Sequence, residues 1–83
     1  MAAIQYPITN EKAIGLIELK NTLTFVVDSS ATKPIIKKEM EELFAVKVES
    51  VNTMISPSGK KRAYIKLKKG FKADDVAAKL KIV

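Results

Sequence analysis

Apolar residues recur along this 83-residue chain with two different periods, and the switches between them mark its elements. In residues 22–28, TLTFVVD, Leu23, Phe25 and Val27 stand at every second position of a β-branched, aromatic run. That period predicts a strand buried on at least one side. Further on the spacing lengthens: Ile36, Met40, Leu43 and Phe44 fall at i, i+4, i+7 and i+8, the mark of an amphipathic helix. Lys37, Lys38, Glu39, Glu41 and Glu42 occupy its wet side, Thr32 or Ser30 can cap it, and Pro34 is acceptable in its first turn. Alternation then returns in VKVESVNTMI (46–55) and again over 61–68, with Pro57-Ser58-Gly59 between them, which predicts a β-hairpin.

Shorter elements flank these. Ile4, Tyr6 and Ile8 alternate with Gln5 and Pro7, so residues 3–7 are expected to form a short edge strand that the proline terminates. Asn10 offers a side-chain acceptor to the orphan amides of a first helix, whose apolar stripe is Ala13, Ile14 and Ile17. Lys20-Asn21 closes that helix with a residue that tolerates left-handed backbone. Gly70 breaks the last strand, after which Asp74 and Asp75 sit in the first turn of a final helix with Val76, Ala77 and Leu80 as its apolar side. The order is (β)αβαββα. A helix joining the strand at 22–28 to the strand at 46–55 should make a right-handed crossover and leave the two parallel, with a gap that the hairpin partner fills in antiparallel fashion. The expected fold is an α/β (α+β) sandwich. One domain over residues 1–83 would hold a three- to four-stranded, mainly antiparallel sheet packed by helices.

Charge changes this picture from a scaffold to a binding surface. Residues 1–56 carry six basic and seven acidic side chains, net −1, whereas residues 57–83 carry nine and two, net +7. The stretch KKRAYIKLKKGFK (60–72) contains seven cations and no acid. A localised field of this kind concentrates a polyanion and releases its counterions on binding, so the affinity should fall steeply with salt. The plainer alternative is that lysines keep a small strand soluble and block edge-to-edge pairing. The chain has neither cysteine nor histidine, which removes disulfides, thiolate metal sites and the commonest general base. No catalytic residue, metal, cofactor or small-molecule substrate is therefore expected. No segment approaches the ~18 apolar residues of a membrane span, so the reading is of a cytoplasmic protein without a membrane partner. Two tyrosines and three phenylalanines are few for a domain that stacks single strands, which favours folded RNA or duplex backbone as the partner.

Three groups of residues stand apart. On the basic strand Ala63, Ile65 and Leu67 face one way while Arg62, Tyr64, Lys66 and Lys68 face the other, a pleat that gathers charge for phosphate tracking, with Lys60 and Lys61 at its start. Asn52-Thr53 lies inside the neighbouring strand, where asparagine is disfavoured; its amide serves either a ribose hydroxyl or base edge, or its own hairpin. Glu11 and Lys12 begin the first helix, Glu11 as a helix-start acid and Lys12 with the basic surface, which Lys33, Lys37 and Lys38 of the second helix can extend.

The strings ITNEKA (8–13), NTLTFVVD (21–28), ATKPIIKKEMEELFAVKVESVNT (31–53) and GKKRAYIKL (59–67) resemble the universal large-subunit ribosomal protein family numbered twenty-three in the bacterial scheme, over nearly the whole chain and in the right order. The resemblance implies a non-catalytic binder of large-subunit ribosomal RNA on the rim of the polypeptide exit tunnel. It would neighbour another small ribosomal protein and form part of the docking site for nascent-chain factors such as the signal recognition particle. Carried over by position, the family's basic helix and strand residues match Lys33, Lys37, Lys60, Lys61, Arg62 and Lys66, its V-N-T signature matches Val51-Asn52-Thr53, and its factor-docking acid matches Glu11. Many members have Thr or Ser before that acid where this chain has Asn10, which preserves the capping chemistry. The long basic loop of bacterial members is replaced by SPSG (56–59), and the lysine-rich N-terminal extension of eukaryotic members is missing, so the chain resembles the archaeal type. Two other readings stand beside this one: a free-standing RNA-binding or regulatory module, and a small phosphate-processing enzyme in which Arg62 and Asn52 polarise a phosphoryl group. The enzyme would want a glycine-rich anion cradle, and the chain has only Gly15, Gly59 and Gly70.

Overall fold

The computed structural model describes residues 3–80. The chain runs through β1 (Ile4–Pro7), α1 (Glu11–Lys20), β2 (Thr22–Val27), α2 (Lys33–Phe44), β3 (Val48–Ile55), β4 (Lys61–Leu67) and α3 (Ala73–Lys79), the order that the hydrophobic pattern predicts. The strands form one four-stranded sheet in the order β1-β2-β4-β3, and every neighbouring pair is antiparallel. β2 and β3 are therefore parallel, with β4 inserted between them, as expected from the α2 crossover.

Two central strands form the middle of the core. Leu23, Phe25 and Val27 of β2 and Ala63, Ile65 and Leu67 of β4 share one face, which Ile36 and Met40 of α2 and Ala73, Val76 and Ala77 of α3 cover. Each large aliphatic or aromatic side chain removed from water here contributes about 1.5–3 kcal/mol. β2 is buried along its whole length, on both faces, because α1 approaches the side of the sheet that α2 and α3 leave open.

The structure departs from the hydrophobic pattern in three places. In β1 the register shifts between Ile4 and Tyr6, so the expected alternation breaks; Ile4 is half-buried and Tyr6 is 44% exposed. In α2 the line facing the sheet runs through Ile36, Met40 and Phe44, and Leu43 turns away to 58% exposure. The wet side of α2 is also narrower than expected. Glu39 accepts from the Ala3 and Ile4 backbone N–H groups at 2.7 and 3.2 Å, and Glu41 accepts from the Val48 N–H at 2.9 Å. Both carboxylates thus satisfy backbone donors of the sheet's two edge strands, a use that helical periodicity does not reveal.

Local chemistry sets the ends of the elements. The Asn10 side chain accepts from the Ala13 N–H at 2.8 Å and caps α1, whereas Thr32 occupies the N-cap of α2 without a side-chain cap bond. Gly59, at φ +85°, permits the tight β3–β4 turn, in which Ser56 N–H donates to Lys60 O and Gly59 N–H to Ser56 O. Asn21 adopts φ 51° after α1, as a left-handed cap should, and does more than end the helix. Its Nδ2 donates to Phe71 O at 2.8 Å, and its Oδ1 accepts from the Ala73 N–H at 2.7 Å. The end of α1 is thereby clasped to the start of α3. Asn21→Ala should cost about 2–3 kcal/mol, from these two lost hydrogen bonds, a longer one from Nδ2 to Leu67 O at 3.4 Å, and a strained left-handed alanine. Asn21→Gly relieves the strain but not the bonds, so a denaturation midpoint between those of wild type and Asn21→Ala is expected.

Candidate nucleic-acid interface

The β2–β4–β3 register sorts the basic strand onto two faces. Opposite the core, cross-strand neighbours form three rows: Val26–Arg62–Met54, Thr24–Tyr64–Asn52 and Thr22–Lys66–Ser50. Tyr6 of β1 pairs with Val26 and extends the first row to four strands. This face, hereafter the outer face, therefore has Arg62, Tyr64 and Lys66 along its central line, Arg62 and Tyr64 half-buried and Lys66 exposed. Lys60 stands at one end, its Nζ donating to the Tyr6 hydroxyl at 2.9 Å and lying 5.6 Å from the Tyr6 ring centroid. The tyrosine holds the ammonium over the sheet by a hydrogen bond and a cation–π contact. Along the side margin Lys12, Leu16 and Lys20 of α1 border Thr22, Tyr64 and Lys66.

Lys66 is 3.3 Å from Glu49, with both side chains about half exposed at 49% and 51%. An ion pair in that setting is worth only about 0–1 kcal/mol, so a phosphate competes readily for the ammonium. Asn52 is exposed across from Tyr64, while Ser56 and Ser58 supply the side-chain bonds of the hairpin turn. The asparagine amide is thus turned to solvent on the charged face and not used to close its own hairpin.

Not all of the residues expected at the site come together. Lys61 has the parity of Ala63 and lies on the helix-packed side, where its Nζ donates to Ala31 O at 2.7 Å. Thr53 pairs with Ala63 and is half-buried on that same side. Lys33 and Lys37 border the free edge of β3 near Ser50 and Val51, a second basic margin, and Lys38 is exposed on α2. Glu11 is exposed in the first turn of α1, next to the capping Asn10. The outer-face group is therefore Lys12, Asn52, Lys60, Arg62, Tyr64 and Lys66.

Tyr6, Lys20, Thr22 and Thr24 belong to the same surface and were not legible as site residues. The three strand residues were signalled only by parity, which names a shared face only once the pairing register is known, and Lys20 only by its place in the last turn of α1. Asp28, in the β2–α2 turn, is held below the ordinary carboxylate value by the Ser30 backbone N–H and hydroxyl, at 2.9 and 2.7 Å. It serves the turn rather than the charged face.

Among the described residues no group of three or more His, Cys, Asp or Glu side chains could hold a metal ion, and no helix is long and apolar enough to cross a membrane. The surface offers cations, amide and hydroxyl groups and two tyrosine rings on a rigid sheet, which is equipment for gripping phosphate and ribose. Comparison with protein families agrees with that chemistry. The family described as ribosomal protein L23 matches residues 2–77, which takes in every strand and ends within α3. Its members are structural proteins of the large ribosomal subunit, not enzymes. The chain belongs to the ribosomal protein L23 family.

Proposed function

We propose that residues 1–83 form a single RNA-binding domain that fixes itself to folded large-subunit ribosomal RNA by the outer face of its sheet, with Lys33 and Lys37 as a second contact along the β3 edge. The observation that supports this reading best is the cross-strand arrangement, in which Arg62 and Lys66 bracket Tyr64 on one face while the alternate residues of the same strand build the core. Arg62 and Lys66, four strand residues apart, lie about 13 Å from each other along β4, so one extended strand presents two separate phosphate contacts on the same face. Charge supplies the affinity and the shape of the RNA supplies the address. Lys38, Lys61 and Thr53 are assigned at most a peripheral part in the RNA contact.

The same reading places the protein in the cytoplasm, on the rim of the polypeptide exit tunnel, beside another small ribosomal protein, in a form of archaeal type. Its first helix would then be open to nascent-chain factors such as the signal recognition particle, with Glu11 as the docking acid. Because Asn10 already caps α1, Glu11→Ala should change stability by less than about 0.5 kcal/mol. Mutant large subunits should assemble normally yet retain less factor, measured by co-sedimentation. Equal retention would return Glu11 to a helix-start role. Sucrose-gradient fractionation of cell lysate tests the whole proposal: the protein should travel with large subunits, whereas a predominant soluble pool would favour a free-standing RNA-binding module.

A further inference from the structure

The side of β2 that faces away from the core contains one anomaly. Thr24 is only 4% exposed, yet its hydroxyl has no hydrogen-bond partner. A buried hydroxyl left unpaired is costly, and in the middle of a regular strand valine would fill the same space without the penalty. Thr24 also lines a cavity of about 30 Å³ between the start of α1 and the sheet, whose wall includes Lys12, Arg62 and Tyr64, with its hydroxyl turned just out of reach of the space. That volume admits one oxygen-sized group. Two cationic residues in its wall, with a hydroxyl donor behind it, favour an anionic oxygen there.

A second depression continues from the first, sharing Lys12, Leu16 and Tyr64, and is much larger at about 420 Å³. Its walls combine apolar surface from Leu16 and Tyr64 with the Asn52 amide. Its size lies within the ~300–1,000 Å³ of small-ligand pockets. A π-face with an amide beside it is the pairing that receives an unstacked base, and the neighbouring small cavity lies where that nucleotide's phosphate would follow.

We propose that this seam between α1 and the sheet is a subsite for one unpaired nucleotide of the bound RNA. A phosphate oxygen enters the small cavity between Lys12 and Arg62, a rotation of Thr24 about χ1 brings its Oγ1 round to donate to that oxygen, and the base lies on Tyr64 with an edge toward Asn52. The subsite rests on the RNA-binding reading above and sharpens it: the face grips phosphates in general but seats one extruded nucleotide in particular.

The test compares Thr24→Val, Tyr64→Leu and Tyr64→Phe in filter binding to large-subunit ribosomal RNA across a salt series. Thr24→Val should weaken binding about three- to tenfold and Tyr64→Leu about tenfold, both at an unchanged salt slope because neither removes a charge. Tyr64→Phe keeps the ring and should recover most of the affinity that Tyr64→Leu loses. Thermal melts identify any loss that comes from unfolding, and Thr24→Val, which deletes an unpaired group, should melt no lower than wild type. Wild-type affinity in both Thr24→Val and Tyr64→Leu, with binding still lost on charge reversal at Arg62 and Lys66, overturns the subsite and leaves the RNA-binding reading standing. Failure of the wild-type protein to bind this RNA overturns both.

Discussion

Replacing Lys60, Arg62 and Lys66 together with glutamate should lower affinity for large-subunit ribosomal RNA by about 100-fold or more and reduce the slope of log affinity against log salt by about three. All three side chains share the outer face, and each reversal both removes a phosphate contact and repels the next phosphate. Lys61→Ala is the matched control. It deletes a cation from the same basic stretch, but one that lies across the sheet and is committed to the Ala31 carbonyl at 2.7 Å. Its expected cost is about 1 kcal/mol of stability and less than about twofold in RNA affinity. If Lys61→Ala lowers the salt slope as much as a single outer-face substitution does, the division of the strand into two faces does not govern binding.

The largest expected effect on folding is at Phe25, which is 1% exposed in the centre of β2 and lies 6.5 Å from the Phe44 ring. Phe25→Ala should cost about 3–5 kcal/mol, the lost transfer energy plus an incompletely collapsed cavity. An 83-residue chain holds only about 4–12 kcal/mol in total, so the variant should be partly or wholly unfolded at growth temperature. Urea titration would show the loss as a lower midpoint. Added ribosomal RNA should restore part of it, because a partner that binds only the folded state stabilises by mass action. A midpoint within about 0.5 M of wild type would mean that α2 closes the gap, and that Phe25 is not the keystone its burial implies.

How much of this was legible beforehand depended on the range of the interactions involved. Alternation in TLTFVVD and the 36–40–44 spacing exposed β2 and α2, since both periods are written locally. The N-cap at Asn10 and the left-handed Asn21 were legible for the same reason, each being a property of a few consecutive residues. Pairing information was not local. Parity put Arg62, Tyr64 and Lys66 together, but Lys61 passed as one more cation until the Ala31 carbonyl across the sheet was seen to accept from it. Thr24 and Tyr6 joined the charged face only through register. Glu39 and Glu41 read as solvated because the backbone donors they satisfy come from strands 35 and 7 residues away. The family resemblance supplied what no residue pattern held, namely which polyanion is bound.

β4 serves two masters with one pleat, Ala63, Ile65 and Leu67 building the interior and its even residues facing the proposed RNA contact. A single inserted or deleted codon within 61–67 would transpose the two sets, driving a guanidinium and an ammonium inward and expelling isoleucine and leucine. Such a lesion would destroy solubility and recognition at one stroke. The strand can therefore be retuned only by exchange at alternate positions, never by a change in length, and natural variation in chain length is expected instead at the SPSG turn.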